Sequence, residues 1–220
     1  MMKRLLYTGI ARNLRQKADF FLKYGYYMIE LPLIEIEAVT FDFSVASKSN
    51  WLFLTSQAPL EILPTNYLKS QKIAVIGQQT ANALAERDLK ASLIAEKPTK
   101  EGLLATFTEK IQCASIFYPK SDLADDYLET ELTKKGYCVA SKIIYRNQLP
   151  KYSEQSLVAL IFYKDIRTIF FSSPSTWDRF RTITEKRGVS LSRFDFVAQG
   201  ETTKLKIVSD GFSARAMSEL

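Results

Sequence analysis

The sequence predicts an α/β protein built on parallel sheets, and three observations lead there. Short apolar runs alternate with helix-length amphipathic segments along the whole chain, the pattern of strand–helix–strand units. IAVIGQQTANAL (Ile73–Leu84) reads as a buried strand, a turn at Gly77 and a helix with Thr80 in its first turn. A looser copy, FVAQGETTKLKI (Phe196–Ile207), repeats it around Gly200, Thr202 and Thr203. Finally, Tyr7 to Gly25 and Tyr118 to Gly136 share a spacing of eighteen residues, and Gly77 to Asp88 and Gly200 to Gly211 one of eleven. Two kinds of half, each seen twice, follow one another in the order A, B, A′, B′.

In order, Lys3–Tyr7 is a short apolar strand and Thr8-Gly9 turns the chain. Arg12–Lys23 has helical spacing, with Leu14, Ala18, Phe21 and Leu22 near one face, and Gly25 stops it. Tyr27–Leu31 is the next strand. PLIEIE (Pro32–Glu37) alternates apolar and acidic residues, which suits a half-exposed strand. Trp51–Leu54 is a buried strand ending in Thr55-Ser56, followed by a short helix that breaks before Pro64. Ile73–Ile76 and Gln79–Arg87 form the strand and helix of the glycine motif. Leu93–Ala95 is a further strand, and Thr99 caps a helix from Lys100 to about Ile111. Ser115–Tyr118 starts the second A half, with Pro119, Lys120 and a helix to Lys135. Val139–Tyr145 is a strand and Arg146–Tyr152 a polar connector. Ser153 caps a helix to about Lys164, and Thr168–Phe171 is a strand. Ser173 and Pro174 then open a helix as N-cap and first helical residue. Phe194–Ala198 and the Gly200 motif close the pattern.

A chain of 220 residues is long enough for one large or two small domains. The net charge of +6 is spread along it; it reads as solvated surface or as a field that draws a polyanionic ligand. There is no arginine-rich tract and no nucleic-acid motif. The absence of histidine removes Ser-His-Asp and Cys-His nucleophiles, HExxH zinc sites and histidine-ligated haem. Cys113 and Cys138 do not form CxxC, which argues against a zinc site or a disulfide scaffold. No GxGxxG or GxxxxGK[ST] supports a nucleotide cofactor, so neither metal nor cofactor is expected. The apolar runs are too short to span a membrane, and the start, MMKRLLYTGIAR, is basic but its apolar run is too short for a signal peptide; a cytoplasmic location is expected.

In parallel α/β folds ligands sit beyond the carboxyl ends of the strands. Thr8, Thr55, Ser56, Gly77, Thr80, Ser173, Gly200 and Thr202 gather there. A hydroxyl after a strand is also the ordinary helix cap. Both readings stand for any one residue, and the doubled arrangement favours a ligand more than any single member does.

FLTS, AVIGQQTANAL, FYPKSDLADDYLETELTKKGY, IIYR, IFFSSPSTWDRF and the weaker AQGETT, in that order, resemble the uroporphyrinogen-III synthase family over most of the chain. The resemblance implies two α/β domains with parallel sheets, joined by a two-stranded β-ladder, with the active site in the interdomain cleft. One domain is residues 1–31 with 151–220, the other 38–143, and the linkers are 32–37 and 144–150. It implies cyclisation of hydroxymethylbilane, with loss of water and inversion of ring D, to uroporphyrinogen III in tetrapyrrole and haem biosynthesis. No cofactor or metal takes part. A monomer, in transient contact with hydroxymethylbilane synthase, is the expected state, with no membrane or nucleic acid as partner.

The substrate carries eight carboxylates. Backbone N–H groups at the helix starts after Ser56, Gly77, Ser173 and Gly200 suit them. Hydroxyls of Ser56, Thr80, Ser173, Thr202 and Thr203 add hydrogen bonds. Lys120 and Arg146 either pair with peripheral carboxylates or serve as surface charge. Tyr145 matches the tyrosine that the family places at the end of this strand; it donates a hydrogen bond to the departing hydroxyl or packs on the linker ladder. Three features depart from the family. Thr8-Gly9-Ile10 stands where Thr-Arg-Pro is common, with Arg12 or nothing in the place of the lost arginine. Lys204 stands where small residues are usual. The helix opened by Thr99 has no counterpart after the last strand. The competing readings are a non-catalytic two-domain protein that binds a small polyanion, and, third, a nucleic-acid module.

Overall fold

The computed structural model describes residues 2–12, 14–163 and 166–220. In chain order its elements are β1 (Lys3–Tyr7), α1 (Leu14–Lys23), β2 (Tyr26–Glu30), β3 (Glu35–Ala38), α2 (Ser44–Ser47), β4 (Trp51–Leu54), α3 (Pro59–Ile62), α4 (Thr65–Ser70), β5 (Lys72–Val75), α5 (Gln78–Ala85) and β6 (Leu93–Ile94). There follow α6 (Lys100–Lys110), β7 (Ser115–Ser121), α7 (Tyr127–Lys134), β8 (Cys138–Gln148), α8 (Ser153–Tyr163), β9 (Thr168–Phe171), α9 (Pro174–Lys186), β10 (Asp195–Ala198), α10 (Glu201–Ser209) and β11 (Ala214–Ala216). They fold into two compact units, Met1–Glu35 with Gln148–Leu220, and Ile36–Asn147.

Each unit holds one sheet. The first runs β11-β10-β9-β1-β2, parallel throughout. The second runs β3-β8-β7-β4-β5-β6, parallel from β8 to β6, with β3 flanking β8. Written by half, the two sheets have one spatial order. The three strands of a B half lie beside the two of an A half, β11-β10-β9 with β1-β2 and β6-β5-β4 with β7-β8. The chain enters them differently: the first unit takes its A half first and the second its B half. Register makes the match residue by residue. Leu5 lies opposite Thr168 and Ile116 opposite Trp51, and each partner is the first residue of its strand, so Tyr7 and Tyr118 occupy equivalent positions.

The period of two along each strand sorts side chains onto two faces. In the first unit Leu6, Ile169, Phe171 and Phe196 join Trp177, Phe180 and Ile183 of α9 on one side. Leu5, Tyr7, Phe170 and Val197 pack with Phe21 of α1 on the other. In the second, Leu52, Leu54, Ile73 and Val75 meet Tyr67 and Leu84. Trp51, Phe53, Ile116 and Tyr118 meet Phe107, Leu128 and Leu132. The matched spacings are helix ends: Gly25 and Gly136 take φ of +80° and +87°, and Asp88 and Gly211 take +56° and +89°. The left-handed residue that stops a helix recurs at the same distance in each copy.

The structure corrects several boundaries. β7 runs on to Ser121 rather than ending at Tyr118, because Pro119, Lys120 and Ser121 stay paired with β8, and α7 starts only at Tyr127. β8 runs to Gln148, so half of the expected polar connector is strand, lying beside β3. A helical turn, α4, follows Pro64. Another, α2, follows a local turn in which Asp42 accepts from the Ser44 N–H and hydroxyl, each at 2.9 Å. Ser153 is the first residue of α8 rather than its cap; its hydroxyl donates to the Pro32 carbonyl at 2.7 Å. The expected end of that helix at Lys164 lies outside the described residues. Among the described residues no helix is long and apolar enough to cross a membrane.

Candidate functional site

Each sheet reverses its winding once, between β1 and β9 in the first unit and between β4 and β7 in the second. The crevice beyond the carboxyl ends at such a switch point is where doubly wound folds take their ligands.

In the second unit Thr55-Ser56 follow β4, and β7 ends at Lys120-Ser121. Beside them β8 carries a bulge: Lys120 pairs with Ile143 but Ser121 with Tyr145. The extra residue, Ile144, shifts the phase of the strand, so Ile144 and Tyr145 both turn into the same buried cluster. The Tyr145 hydroxyl then lies 2.8 Å from Ser56 Oγ. The Asp122 N–H donates to the Tyr145 carbonyl at 3.2 Å, and the Asn147 N–H to Asp122 Oδ1 at 3.2 Å, which fix the strand around the phenol. Thr55 Oγ1 lies 3.4 Å from the Tyr118 hydroxyl. Tyr145 is 5% exposed. Burial pushes its pKa above the ordinary tyrosine value, the hydrogen bonds of Ser56 and Ser121 pull it back, and Tyr118 and Asp122 raise it further. Burial raises Tyr118 likewise. Both phenols are neutral proton donors at physiological pH.

Lys120 follows Tyr118 by two residues in β7 and is taken up by carboxylates of α7 and its N-cap. Its ammonium is buried between Asp126, at 2.5 Å, and Glu129. Burial works against the charge, but the hydrogen bonds of the two carboxylates outweigh it and hold the pKa above the lysine range. Arg146 lies exposed on β8.

In the first unit Thr8 is fully buried, and its N–H and hydroxyl both donate to the Phe170 carbonyl, at 3.2 and 2.7 Å. Ser173 is the N-cap of α9. Its Oγ accepts from the Thr176 N–H at 3.4 Å in a full capping box, with Pro174 at the first helical position. Both hydroxyls are therefore satisfied within the protein, Ser173 as the expected helix cap.

Gly77 and Gly200 are the N-caps of α5 and α10, and neither helix start has a side-chain cap. Their first-turn N–H groups keep the partial positive charge of a helix N-terminus. Thr80 and Thr203 hold the same third helical position in the two copies and are both buried, whereas Thr202 is exposed. The structure thus brings together Ser56 with Tyr145, and Thr55 with Tyr118. As site residues Tyr118 and Ser121 escaped the sequence reading; the recurrence of a tyrosine at the same place in the first strand of both A halves was the available signal for Tyr118. Among the described residues no group of three or more His, Cys, Asp or Glu is placed to hold a metal.

Comparison with known proteins agrees with this layout. The family model of Uroporphyrinogen-III synthase HemD matches residues 16–219. A uroporphyrinogen-III synthase of Synechococcus elongatus is 24% identical over 167 residues, which are 69% of this chain and 63% of that protein. The match therefore spans less than two thirds of that relative's length. Among solved structures, a mutant uroporphyrinogen III synthase of the extremely thermophilic bacterium Thermus thermophilus aligns with a TM-score of 0.64 at 16% identity, covering 99% of this chain and 94% of that one. The uroporphyrinogen-III synthetase of Helicobacter pylori aligns with a TM-score of 0.61 at 17% identity, covering 98% and 92%. These two share the fold. With its family model matched from residue 16 to residue 219, the chain belongs to the uroporphyrinogen-III synthase HemD family.

Proposed function

We propose that the chain is a uroporphyrinogen-III synthase, which cyclises hydroxymethylbilane with inversion of ring D and loss of one water. The observation that carries this is the buried Tyr145 phenol held 2.8 Å from Ser56 Oγ at the switch point of the second sheet, in a chain of this family. The bond that breaks first is the C–O bond of the terminal hydroxymethyl group. Its hydroxyl leaves as water with one added proton, and an azafulvene-type cation remains. Ring D attacks it to form a spiro intermediate, which reopens and closes in the inverted sense, and the α-hydrogen of ring D leaves as the proton that balances the one taken by the hydroxyl.

Tyr145 fits the first step. A phenol kept neutral by burial donates a hydrogen bond to the departing oxygen, and Ser56, half-buried beside it, supplies a second hydroxyl in line. The uncapped helix starts at Gly77 and Gly200 suit the substrate's carboxylates. Ser173 and Thr8 already spend their hydroxyls inside the protein, and Lys120 its charge, so these three contribute shape rather than ligand contacts. The reading includes a monomer that receives the unstable bilane from hydroxymethylbilane synthase by transient contact.

The test is a coupled assay. Porphobilinogen and hydroxymethylbilane synthase generate the bilane with and without this protein, and the oxidised porphyrin isomers are separated. A shift from isomer I to isomer III is expected; isomer I alone, from folded protein, overturns the proposal. Tyr145→Phe keeps the ring packing and removes the donor. It should lower kcat by about ten- to a hundredfold, at the low end of acid catalysis because a phenol is a weak acid. An unchanged kcat takes Tyr145 out of the mechanism.

A further inference from the structure

The switch point of the first sheet carries a lysine that packing alone does not explain. The eighteen-residue spacing of the A halves places Phe21 on Leu132, both buried, and Lys17 on Leu128, which is fully buried under the second sheet. Where the second unit has an apolar residue facing its sheet, the first has an ammonium.

That ammonium is held firmly. Lys17 Nζ donates to the Tyr7 hydroxyl at 2.5 Å and lies 4.8 Å from the centre of the Tyr7 ring. Tyr7 is 1% exposed, stacks on Phe170 with ring centres 5.3 Å apart, and donates to the Ile10 carbonyl at 3.3 Å. Burial first, and the Glu30 carboxylate next, push its pKa up to about 12, so the phenol stays neutral and its oxygen is a fixed acceptor.

Lys17 differs from every other lysine that is not exposed. Among the described residues these are Lys100, Lys120, Lys204 and Lys206, and each holds a carboxylate in an ion pair. Lys17 has a phenol and an aromatic face but no carboxylate at ion-pair distance among the described residues. Burial and the Arg12 guanidinium hold its pKa below the lysine range, and Glu30 offsets this only in part. An arriving carboxylate removes the penalty, because a partly desolvated cation gains most from a charge-assisted partner.

The position faces a ligand site by topology. Tyr7 ends β1 and Ser172 follows β9, the two strands between which the winding reverses. A Cβ at Gly9 would clash with the Tyr7 hydroxyl and sit 2.9 Å from Ser172 Cβ. The phenol therefore fills the space of a side chain at position 9, and Lys17 brings its charge to that same oxygen.

We propose that Lys17, oriented by Tyr7 at the switch point of the first sheet, binds a carboxylate of the polycarboxylate substrate, a role that rests on the synthase reading above. The test compares Lys17→Leu, the residue that the second unit carries at this place, and Lys17→Arg with the wild type. It reads KM and kcat in the coupled assay, the Kd for uroporphyrin III at low and high salt, and the melting temperature. Lys17→Leu should raise KM and Kd by about tenfold, the size of a charged hydrogen bond, with a smaller change in kcat. It should flatten the salt dependence and keep or raise the melting temperature, and Lys17→Arg should restore most of the affinity. Unchanged KM and Kd in Lys17→Leu overturn the proposal. So does a fall in melting temperature with affinity lost alike in Lys17→Leu and Lys17→Arg, since the lysine then only supports Tyr7. A wild type that makes isomer I alone sinks the synthase reading, while the Kd for uroporphyrin III still decides the lysine.

Discussion

The two units present the same corner with opposite electrostatics. Tyr7 and Tyr118 hold equivalent positions on equivalent strands, on the same relative face of the two sheets. In the second unit the lysine near that tyrosine, Lys120, is enclosed by Asp126 and Glu129, and its charge is spent on tying β7 to the start of α7. In the first, Lys17 reaches the tyrosine itself and has no such carboxylate among the described residues. The sheet order is duplicated; the charges are not. Residues with the same topological address therefore divide into those that complete the fold and those left with something to bind, and counting partners separates them better than residue type does.

The largest effect should come from Lys120→Met. Removing the buried ammonium takes from Glu129 its ion-pair partner, and among the described residues its buried Oε2 has no hydrogen-bond partner to make up the loss. Loss of one member of a buried pair costs about 3 kcal/mol. Asp126 is largely exposed and recovers water, so the cost falls mainly on Glu129. A urea midpoint unchanged in Lys120→Met would mean that the pair is decorative. The opposite sign at Lys17→Leu is what sharpens the contrast.

Much of the fold was legible because its signals are local. Apolar runs, helix starts and left-handed stops lie within a few residues of each other, so the halves and their spacing could be read from IAVIGQQTANAL or from Tyr7 to Gly25. The shared sheet order with its permuted entry depends on which strands meet, and no local pattern encodes that. The site was less legible for the same reason. Ser56 and Tyr145 are 89 residues apart, and they meet only because the bulge at Ile144 reverses the strand phase. Thr8 and Lys120 looked like ligand groups by type, but their partners, the Phe170 carbonyl and Glu129, are distant in the chain or reached through a loop. Lys17 carries no signal of its own in the helical spacing of Arg12–Lys23, since its meaning comes from Tyr7 across the unit.

A medium effect tests the corner itself. Position 9 of the first unit corresponds to position 120 of the second, where a long side chain is accommodated. At Gly9 a Cβ would lie 2.7 Å from Tyr7 Cζ and 2.9 Å from Ser172 Cβ. Tyr7 is buried and stacked, so it cannot swing aside cheaply. Gly9→Ala should cost about 1–3 kcal/mol, the range for overpacking, and should displace the phenol that orients Lys17. The loss of stability should come with weaker uroporphyrin III binding. A fully stable Gly9→Ala with wild-type affinity would show that the tyrosine moves freely and that the corner is not preorganised.

The smallest effect separates the two glycine motifs. Gly77 and Gly200 cap α5 and α10 without a side chain, but their surroundings differ. A Cβ at Gly77 would sit 3.1 Å from Pro98 Cβ, whereas at Gly200 nothing lies within 4 Å. The Gly200 backbone, with φ of −158° and ψ of 178°, is extended and accepts any residue. Gly200→Ser should therefore supply the missing cap to α10 and add a few tenths of a kcal/mol. The serine oxygen would take a first-turn N–H that the proposed mechanism assigns to a substrate carboxylate. Stability and affinity should then move in opposite directions, with a slightly higher melting temperature and a KM raised severalfold. Gly77→Ser must first displace Pro98, so its gain in capping is offset by strain. If Gly200→Ser stabilises the protein and leaves KM unchanged, the N-terminus of α10 is a bare helix end, and the carboxylates are read elsewhere.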